Sequence, residues 1–255
     1  MSEVLTVKRC DATAVITLNR PESRNALNSE LLGEIPRVFA ECEADDAVIV
    51  VVLTGADPAF CAGLDLRELG SSGDNLTGGN LGLGYRLWAP MSKPVIGAVN
   101  GAAVTGGFEL ALQCDFLVAS ERARFGDTHA RVGVLPGGGL SVLLPQAIGV
   151  RRAKEMSLTG NFMSADEALQ WGLVNHVVPH EELLPTARSL AADIASYPTD
   201  ASQALLAEYN ATTATTVAEG LEIERERFRA WYQHFDPAQV EARRAGIVDR
   251  GRSQG

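Results

Sequence analysis

Cysteine is scarce in this sequence, and its spacing matches neither a metal-binding nor a redox motif. The 255 residues contain four cysteines, Cys10, Cys42, Cys61 and Cys114. We therefore expect free thiols in a reducing compartment. The first residues are acidic and then strand-like rather than apolar, so no secretory signal is visible and the expected location is the cytoplasm.

Basic residues and long apolar runs are also lacking. Lys and Arg number 22 against 32 Asp and Glu, which gives a net charge of −10. Nucleic-acid binding depends on neutralising phosphates with basic surface, so this balance argues against a nucleic-acid partner. The longest unbroken apolar run, residues 47–53, is far shorter than the roughly 20 residues that a membrane helix needs. We therefore expect no membrane partner either.

What remains is a composition typical of a globular protein, with 46% hydrophobic and 21% charged residues. Strand-like and helix-like patterns alternate as far as Pro179, and the pattern beyond it is helical throughout. The predicted strands cover residues 4–8, 14–18, 47–53, 94–99, 115–119 and 174–178. We place an α/β core at residues 1–197 and a helical region at residues 198–255.

The predicted helices begin with residues 29–44. A capping box formed by Ser164 and Glu167 starts another, which ends near residue 171. Further helices are predicted at residues 181–196, 217–235 and 237–246. One apolar face of the segment 217–235 consists of Val217, Leu221, Phe228, Trp231 and Phe235. Residues 70–84 are rich in Ser, Gly and Asn and are interpreted as a mobile loop that could close over a site.

Two glycine-bearing turns, at residues 60–66 (FCAGLDL) and 104–110 (VTGGFEL), each follow a strand-like run. Glycine lets the backbone turn tightly, and the first amides of a helix lack partners inside it. Two such turns facing each other would aim two N–H donors at one point, which is the geometry that stabilises an enolate. Glu109 would add a carboxylate there. Close packing of helix against strand is an equally good explanation of the glycines.

Three further features have structural as well as functional interpretations. Apolar neighbours would raise the pKa of Glu109 if it is buried, but it could equally be a solvated carboxylate. His129 can exchange protons near neutral pH, although a lone loop histidine more often has a structural role. The glycine-rich residues 135–139 form either a simple turn or a backbone nest. Neither a Walker A motif, a dinucleotide fingerprint nor a nucleophile elbow is present.

Several motifs nevertheless follow one another in a specific order. They lie at residues 19–21, 24–28 (RNALN), 60–66, 100–115 (NGAAVTGGFELALQCD), 125–126, 133–139 and 168–175. On these motifs the chain resembles the crotonase family, the enoyl-CoA hydratase/isomerase group. The resemblance covers nearly the whole core and weakens after Pro198. It implies an α/β fold, a crotonase-like spiral of ββα units with a C-terminal helical oligomerisation region, and a coenzyme A thioester as substrate.

The resemblance also implies roles by motif position. The amides of Leu64 and Gly106 would form an oxyanion hole. The residues along the substrate would be Asp65, Leu66 and Arg67, and those at its nucleotide end Arg24, Ala26, Leu27 and Ala62. Glu109 falls on the first catalytic glutamate of the hydratases. The second falls on His129, so the chain departs from the hydratase pattern at a catalytic position.

We therefore expect an enoyl-CoA hydratase that adds water across the 2,3 double bond of an enoyl-CoA thioester. Glu109 would activate water for attack at C3, and His129, or Asp127, would protonate C2. Alternatives are another crotonase-type reaction (isomerase, thioester hydrolase, decarboxylase) and a non-catalytic acyl-CoA-binding protein. No metal or redox cofactor is implied, since coenzyme A is part of the substrate. The apolar face of residues 217–235 predicts a homotrimer or homohexamer.

Overall fold

The structure is a computed structural model that describes residues 4–77, 86–233 and 236–253. The chain divides into two compact units, Met1–Gln203 and Ala204–Gly255. The division falls inside a helix, Thr199–Thr212, which begins just after the boundary that the sequence suggests at residues 197 and 198.

Ten strands form two sheets within the described part of the first unit. They are β1 (Leu5–Cys10), β2 (Thr13–Leu18), β3 (Val50–Gly55), β4 (Ala59–Cys61), β5 (Val95–Val99), β6 (Ala102–Val104), β7 (Phe116–Ser120), β8 (Arg124–Gly126), β9 (Phe162–Ser164) and β10 (His176–Val178). The larger sheet has the order β1-β2-β3-β5-β7-β10, and the smaller one β4-β6-β8-β9. Apart from the antiparallel β1–β2 and β8–β9 pairs, neighbouring strands run parallel.

The helices of the described residues are mostly short in the first unit and longer towards the C-terminus. They are α1 (Ser29–Ala44), α2 (Leu66–Ser71), α3 (Asp74–Thr77), α4 (Gly106–Leu112), α5 (His129–Val132), α6 (Leu140–Ile148), α7 (Val150–Thr159), α8 (Ala165–Gln170), α9 (Leu183–Ala195), α10 (Thr199–Thr212), α11 (Val217–Tyr232) and α12 (Pro237–Ser253). Short 3₁₀ segments occur at Pro21–Ser23 and His180–Glu182. No helix among the described residues is long and apolar enough to cross a membrane.

Three successive units repeat one pattern: a strand of the larger sheet, a short strand of the smaller sheet, and a helix. These units are β3–β4–α2, β5–β6–α4 and β7–β8–α5. The sequence pattern does not predict β4, β6 or β8, because three residues are too few to show a period of two. The structure thus shows that the glycine-bearing turns follow the short strands β4 and β6. The longer strands β3 and β5, which correspond to the predicted strand-like runs, lie one element earlier.

The position of β3 in the core explains the unbroken apolar run at residues 47–53. Every residue of β3 is buried, because the larger sheet is covered on both faces. Val51 and Leu53 belong to the main hydrophobic cluster, whereas Val50 and Val52 pack in a second cluster with α9. The alternation follows from the period of two along a strand. The strand starts later than predicted, since the amide of Ala47 is bound by the Asp45 side chain.

Other predicted elements are confirmed or corrected. The helix at residues 29–44 is α1, with Asn28 as its N-cap, and the capping box of Ser164 starts α8. The end predicted at Gly246 is wrong, because α12 continues to Ser253. A single glycine inside a helix costs only about 1 kcal/mol relative to alanine, so it need not end one. The predicted loop at residues 70–84 contains the end of α2 and all of α3, and residues 78–84 lie outside the described residues.

The second unit presents apolar side chains at its surface. A capping box of Thr216 and Glu219 starts α11. Along this helix Val217 is 83% exposed, Leu221 62% and Phe228 56%, and Trp231 is also exposed. Phe235, which the sequence places on the same face, lies outside the described residues. The described residues of α11 therefore present an exposed apolar face.

Candidate active site

The two glycine turns bring the backbone amides of Leu64 and Gly106 together. A Cβ atom built on Gly63 would lie 3.4 Å from the nitrogen of Gly106, and one built on Gly106 would lie 3.7 Å from the nitrogen of Leu64. Among the described residues neither N–H has a hydrogen-bond acceptor. The pair can therefore donate two hydrogen bonds to a single oxygen atom of a ligand.

The start of α4 explains why the Gly106 amide has no internal partner. The carbonyl of Thr105 accepts the amides of Phe108 and Glu109, at 3.0 and 2.9 Å, so Gly106 occupies the first helical position. An amide at this position cannot bond within its own helix. Gly107 next to it packs against β4, where a Cβ would lie 2.1 Å from the carbonyl oxygen of Cys61. Close packing thus explains why residue 107 is glycine, whereas Gly106 contributes the backbone amide that has no partner within the helix.

A parallel bridge fixes the position of the Leu64 amide. Leu27 donates its N–H to the Gly63 carbonyl at 2.7 Å, and Asp65 donates to the Leu27 carbonyl at 2.9 Å. Further along, the amide of Ala62 donates to the Arg24 carbonyl at 3.0 Å. Residues 24–27 therefore run beside residues 62–65. The structure brings together Arg24, Ala26, Leu27 and Ala62, which the sequence assigns to one end of the substrate.

The other residues assigned to the substrate have different surroundings. Asp65 forms an ion pair with Arg20 at 3.1 Å and caps α2 by accepting the amide of Arg67 at 3.1 Å. Although burial opposes its ionisation, these bonds hold the pKa of Asp65 below its usual value. Leu66 and Arg67 are exposed, as is Arg24. Asp65 thus orders the turn through its side chain, while Leu66 and Arg67 remain available at the surface.

Glu109 is held in a buried position on α4, where it is 6% exposed. Its Oε1 atom accepts the N–H of Gly138 at 2.7 Å and that of Leu140 at 3.4 Å. The amides of Gly138 and Leu140, at the end of the glycine-rich segment, therefore act as a backbone nest for this carboxylate. Burial raises the pKa of Glu109, and the attraction of His129 and the two amides offsets only part of that effect. A carboxyl with a raised pKa takes up a proton more readily than an ordinary glutamate, as a general base requires.

His129 begins α5 and faces Glu109. Its Nδ1 atom lies 2.6 Å from Oδ1 of Asp127, and its Nε2 atom lies 3.8 Å from Oε2 of Glu109. Desolvation opposes ionisation of Asp127, but hydrogen bonds from the side chains of His129 and Ser157 outweigh it and hold the pKa of that carboxyl below its usual value. Asp127 is therefore an anion that fixes the orientation of the imidazole ring.

Three residues near this site have contacts that the sequence does not reveal. Asp127 is the partner of His129, for which the spacing D-x-H is the one available signal. Gln113 accepts the amide of Leu87 at 2.8 Å and donates to the Gly138 carbonyl at 3.0 Å, which ties the nest to the segment after residue 86. Thr105 connects the two turns and carries no signal in the sequence. In the described residues, no group of His, Cys, Asp and Glu side chains is arranged to hold a metal ion.

Comparison with known proteins gives the family. A profile of the enoyl-CoA hydratase/isomerase family matches residues 8–249. The short-chain-enoyl-CoA hydratase of Clostridium acetobutylicum is 43% identical over 188 residues, which is 72% of either chain.

Solved structures agree. An enoyl-CoA hydratase from Mycobacterium smegmatis is 50% identical and superposes with a TM-score of 0.77, covering 92% of this chain and all of its own. An enoyl-CoA hydratase from Bacillus anthracis is 32% identical and has a TM-score of 0.88, with 96% of either chain covered. The expected crotonase-like α/β fold with its C-terminal helical region is confirmed. The chain therefore belongs to the enoyl-CoA hydratase/isomerase family.

Proposed function

We propose that this protein is an enoyl-CoA hydratase that adds water across the 2,3 double bond of an enoyl-CoA thioester. The observation that carries the proposal is the position of Glu109 and His129. Their facing atoms lie 3.8 Å apart, on α4, which begins at Gly106, and on α5, which begins at His129. Hydration needs a base that removes a proton from the attacking water and an acid that delivers a proton to C2.

The thioester oxygen would occupy the point shared by the amides of Leu64 and Gly106. When water adds at C3, the electrons of the double bond move towards this oxygen and an enolate forms. Donors fixed before the reaction stabilise that charge without reorganisation, and removing one such donor typically costs about 10²–10³-fold in rate. The carbonyl also becomes polarised in the ground state, which makes C3 more electrophilic.

Glu109 would take the proton from the attacking water. Its Oε1 atom is engaged by the nest, so Oε2 is the atom left to act as base. His129, as an imidazolium, would deliver the proton to C2 and complete the 3-hydroxyacyl thioester. Glu109 is then protonated and His129 neutral. Transfer of the proton from Oε2 to Nε2, once these facing atoms approach from 3.8 Å to hydrogen-bond distance, would restore both groups for the next cycle.

Asp127 supports the acid in this scheme. It accepts the Nδ1 proton of His129, and this bond leaves Nε2 as the atom that faces Glu109. The hydratase pattern of two glutamates is thereby replaced by one glutamate and an Asp–His pair.

Double-bond isomerisation is the second candidate. The observation that favours it is the raised pKa of Glu109. A carboxylate with a raised pKa could remove a proton from one carbon, keep it as the carboxylic acid, and deliver it to another carbon. The family itself is described as containing both hydratases and isomerases.

We further propose an acyl-CoA or enoyl-CoA thioester as the binding partner, a homotrimer or homohexamer as the assembly, and a cytoplasmic location. The exposed apolar face of α11 supports the assembly, because closed symmetry would bury it. The acidic net charge supports the absence of a nucleic-acid partner.

The proposal is tested by incubating the protein with 2-enoyl-CoA, 3-enoyl-CoA and saturated acyl-CoA thioesters and identifying the products. A 3-hydroxyacyl-CoA formed from the 2-enoyl substrate is the expected result. A shifted double bond, free coenzyme A or carbon dioxide would assign isomerisation, hydrolysis or decarboxylation instead. Binding without turnover of any substrate would assign a non-catalytic protein.

A further inference from the structure

Thr105 adopts a backbone conformation that β-branched residues rarely adopt. Its φ is 53° and its ψ is −113°, immediately before Gly106. Positive φ crowds a branched side chain, and such strain persists where the surroundings impose it, often at functional sites. The peptide plane that carries the Gly106 N–H turns with ψ of Thr105. The strained dihedral therefore sets the direction of a donor in the proposed oxyanion hole.

The Thr105 side chain reaches the segment that carries His129. Its Oγ1 atom lies 2.6 Å from Oγ1 of Thr128 and also accepts the Thr128 amide at 3.2 Å. The Thr105 amide donates to the carbonyl of Gly126 at 2.9 Å. Since Thr128 is the N-cap residue of α5, these bonds determine where His129 begins its helix.

The same residue touches the remaining parts of the site. Its carbonyl accepts the amide of Glu109 at 2.9 Å, which starts the helix that presents the carboxylate. A Cβ atom built on Gly63 would lie 3.3 Å from the Cβ atom of Thr105, so Thr105 also packs against the turn that carries Leu64. Thr105 is 7% exposed and thus shielded from water that could replace its hydrogen bonds.

We propose that Thr105 is a positioning residue for the hydration reaction, which aims the Gly106 amide and holds His129 in register with Glu109. Glycine would relieve the strain but has no hydroxyl to bind Thr128. A threonine at this dihedral therefore indicates that the hydroxyl contact contributes something that glycine cannot. The kinetic consequence rests on the proposed function, whereas the effect on His129 does not.

Two variants separate the hydroxyl from the shape of the side chain. Thr105→Val keeps the branched shape and loses both contacts with Thr128, while Thr105→Ser keeps the hydroxyl. Thr54→Val is the matched control, because Thr54 is a buried threonine of β3 whose hydroxyl donates to the Ala98 carbonyl at 2.8 Å. All three proteins are compared by circular dichroism and unfolding temperature before any other measurement.

The kinetic measurement is hydration of a 2-enoyl-CoA. Displacing a catalytic group by a fraction of an ångström to an ångström costs up to about 10²-fold, so Thr105→Val should lose about 10–100-fold in kcat with KM nearly unchanged. Thr105→Ser should retain most of the wild-type kcat. Thr54→Val should lower the unfolding temperature by about as much as Thr105→Val does, and it should leave kcat unchanged. A fall in kcat for Thr54→Val equal to that of Thr105→Val would overturn the proposal, since it would then reflect stability alone.

The second measurement needs no substrate. The imidazole resonances of histidine-labelled protein are followed by NMR against pH, and the His129 signal is identified by its loss in His129→Gln. Thr105→Val should shift the titration midpoint of His129 or split its signal, and Thr105→Ser and Thr54→Val should leave it as in wild type. A His129 signal unchanged in Thr105→Val overturns the proposal. If wild type hydrates no enoyl-CoA, the proposed function fails, and this NMR comparison still decides the role of Thr105.

Discussion

The Nε2 atom of His129 lies 3.8 Å from the Oε2 atom of Glu109, and both side chains are almost completely buried. The other polar atom of each group is already engaged. Oε1 of Glu109 binds the Gly138 amide, and Nδ1 of His129 binds Asp127. Each group thus has one atom left, and these two atoms face each other. This relationship makes proton exchange between the two groups the simplest way to complete a catalytic cycle.

Replacing Glu109 by glutamine should separate catalysis from binding. Glutamine has nearly the same shape, and its carbonyl oxygen can still accept the amides of the nest. It cannot take a proton from water, so hydration should fall by roughly 10²-fold or more. Affinity for a saturated acyl-CoA, measured by calorimetry, should remain close to wild type. Unchanged hydration in Glu109→Gln would mean that another group activates the water.

The raised pKa of Glu109 predicts the acidic side of the pH profile. The carboxylate is the active form, so kcat/KM should decline as the pH falls through a value above the ordinary pKa of glutamate.

The stability of the protein should depend on pH in the opposite direction. Because the pKa of Glu109 is higher in the folded than in the unfolded state, folding disfavours its ionised form. The free energy of unfolding therefore decreases as the pH rises through the folded-state pKa. Glu109→Gln should therefore gain stability over wild type at mildly alkaline pH, by about 1 kcal/mol per pKa unit, and little at acidic pH. Thermal unfolding at the two pH values measures this gain, and an equal gain at both would contradict the assignment.

Backbone donors at Leu64 and Gly106 predict unequal effects of two substitutions. Leu64→Ala keeps its N–H and should keep much of the activity. Gly106→Pro loses an N–H and also disfavours the conformation of the preceding Thr105, so hydration should be abolished. Gly106→Ala is the control, because it keeps the amide and must only displace the Leu27 side chain, whose Cδ1 would lie 3.2 Å from the new Cβ. Folded Gly106→Pro with wild-type hydration would rule out the oxyanion hole.

The exposed apolar side chains of α11 predict a closed assembly. Val217, Leu221 and Phe228 are all more than half exposed. Light scattering at micromolar concentration should give the mass of a trimer or hexamer, and Leu221→Glu with Phe228→Glu should lower it. The control Leu158→Glu changes a leucine that is 80% exposed on α7. A stable monomer of the wild-type protein would contradict the prediction.

The sequence predicts those parts of the fold that depend on local patterns. Residues 29–44 show a clear helical period, and Ser164 with Glu167 has the spacing of a capping box, so both elements are found where expected. The short strands β4, β6 and β8 are not predictable in this way. They exist because tertiary pairing selects three-residue segments that have no period of their own.

For the candidate site, too, the sequence locates some residues but does not reveal their contacts. Motif order locates Glu109, His129 and the two glycine turns. It cannot reveal that Gly138 binds Glu109 from 29 positions away, because this contact depends on the path of the chain. Nor can it reveal the positive φ of Thr105, since threonine rarely adopts one.

The role of His129 is the central claim, and the pH dependence of enoyl-CoA hydration tests it most directly. If His129 delivers the C2 proton, it must be charged in the reactive enzyme, so kcat/KM should fall on the alkaline side as the imidazolium loses its proton. His129→Ala should be slower and lack that alkaline limb. His129→Glu should restore hydration, since the adjacent Asp127 would favour a protonated carboxyl there. Equal rates and identical pH profiles for wild type and His129→Ala would contradict the account.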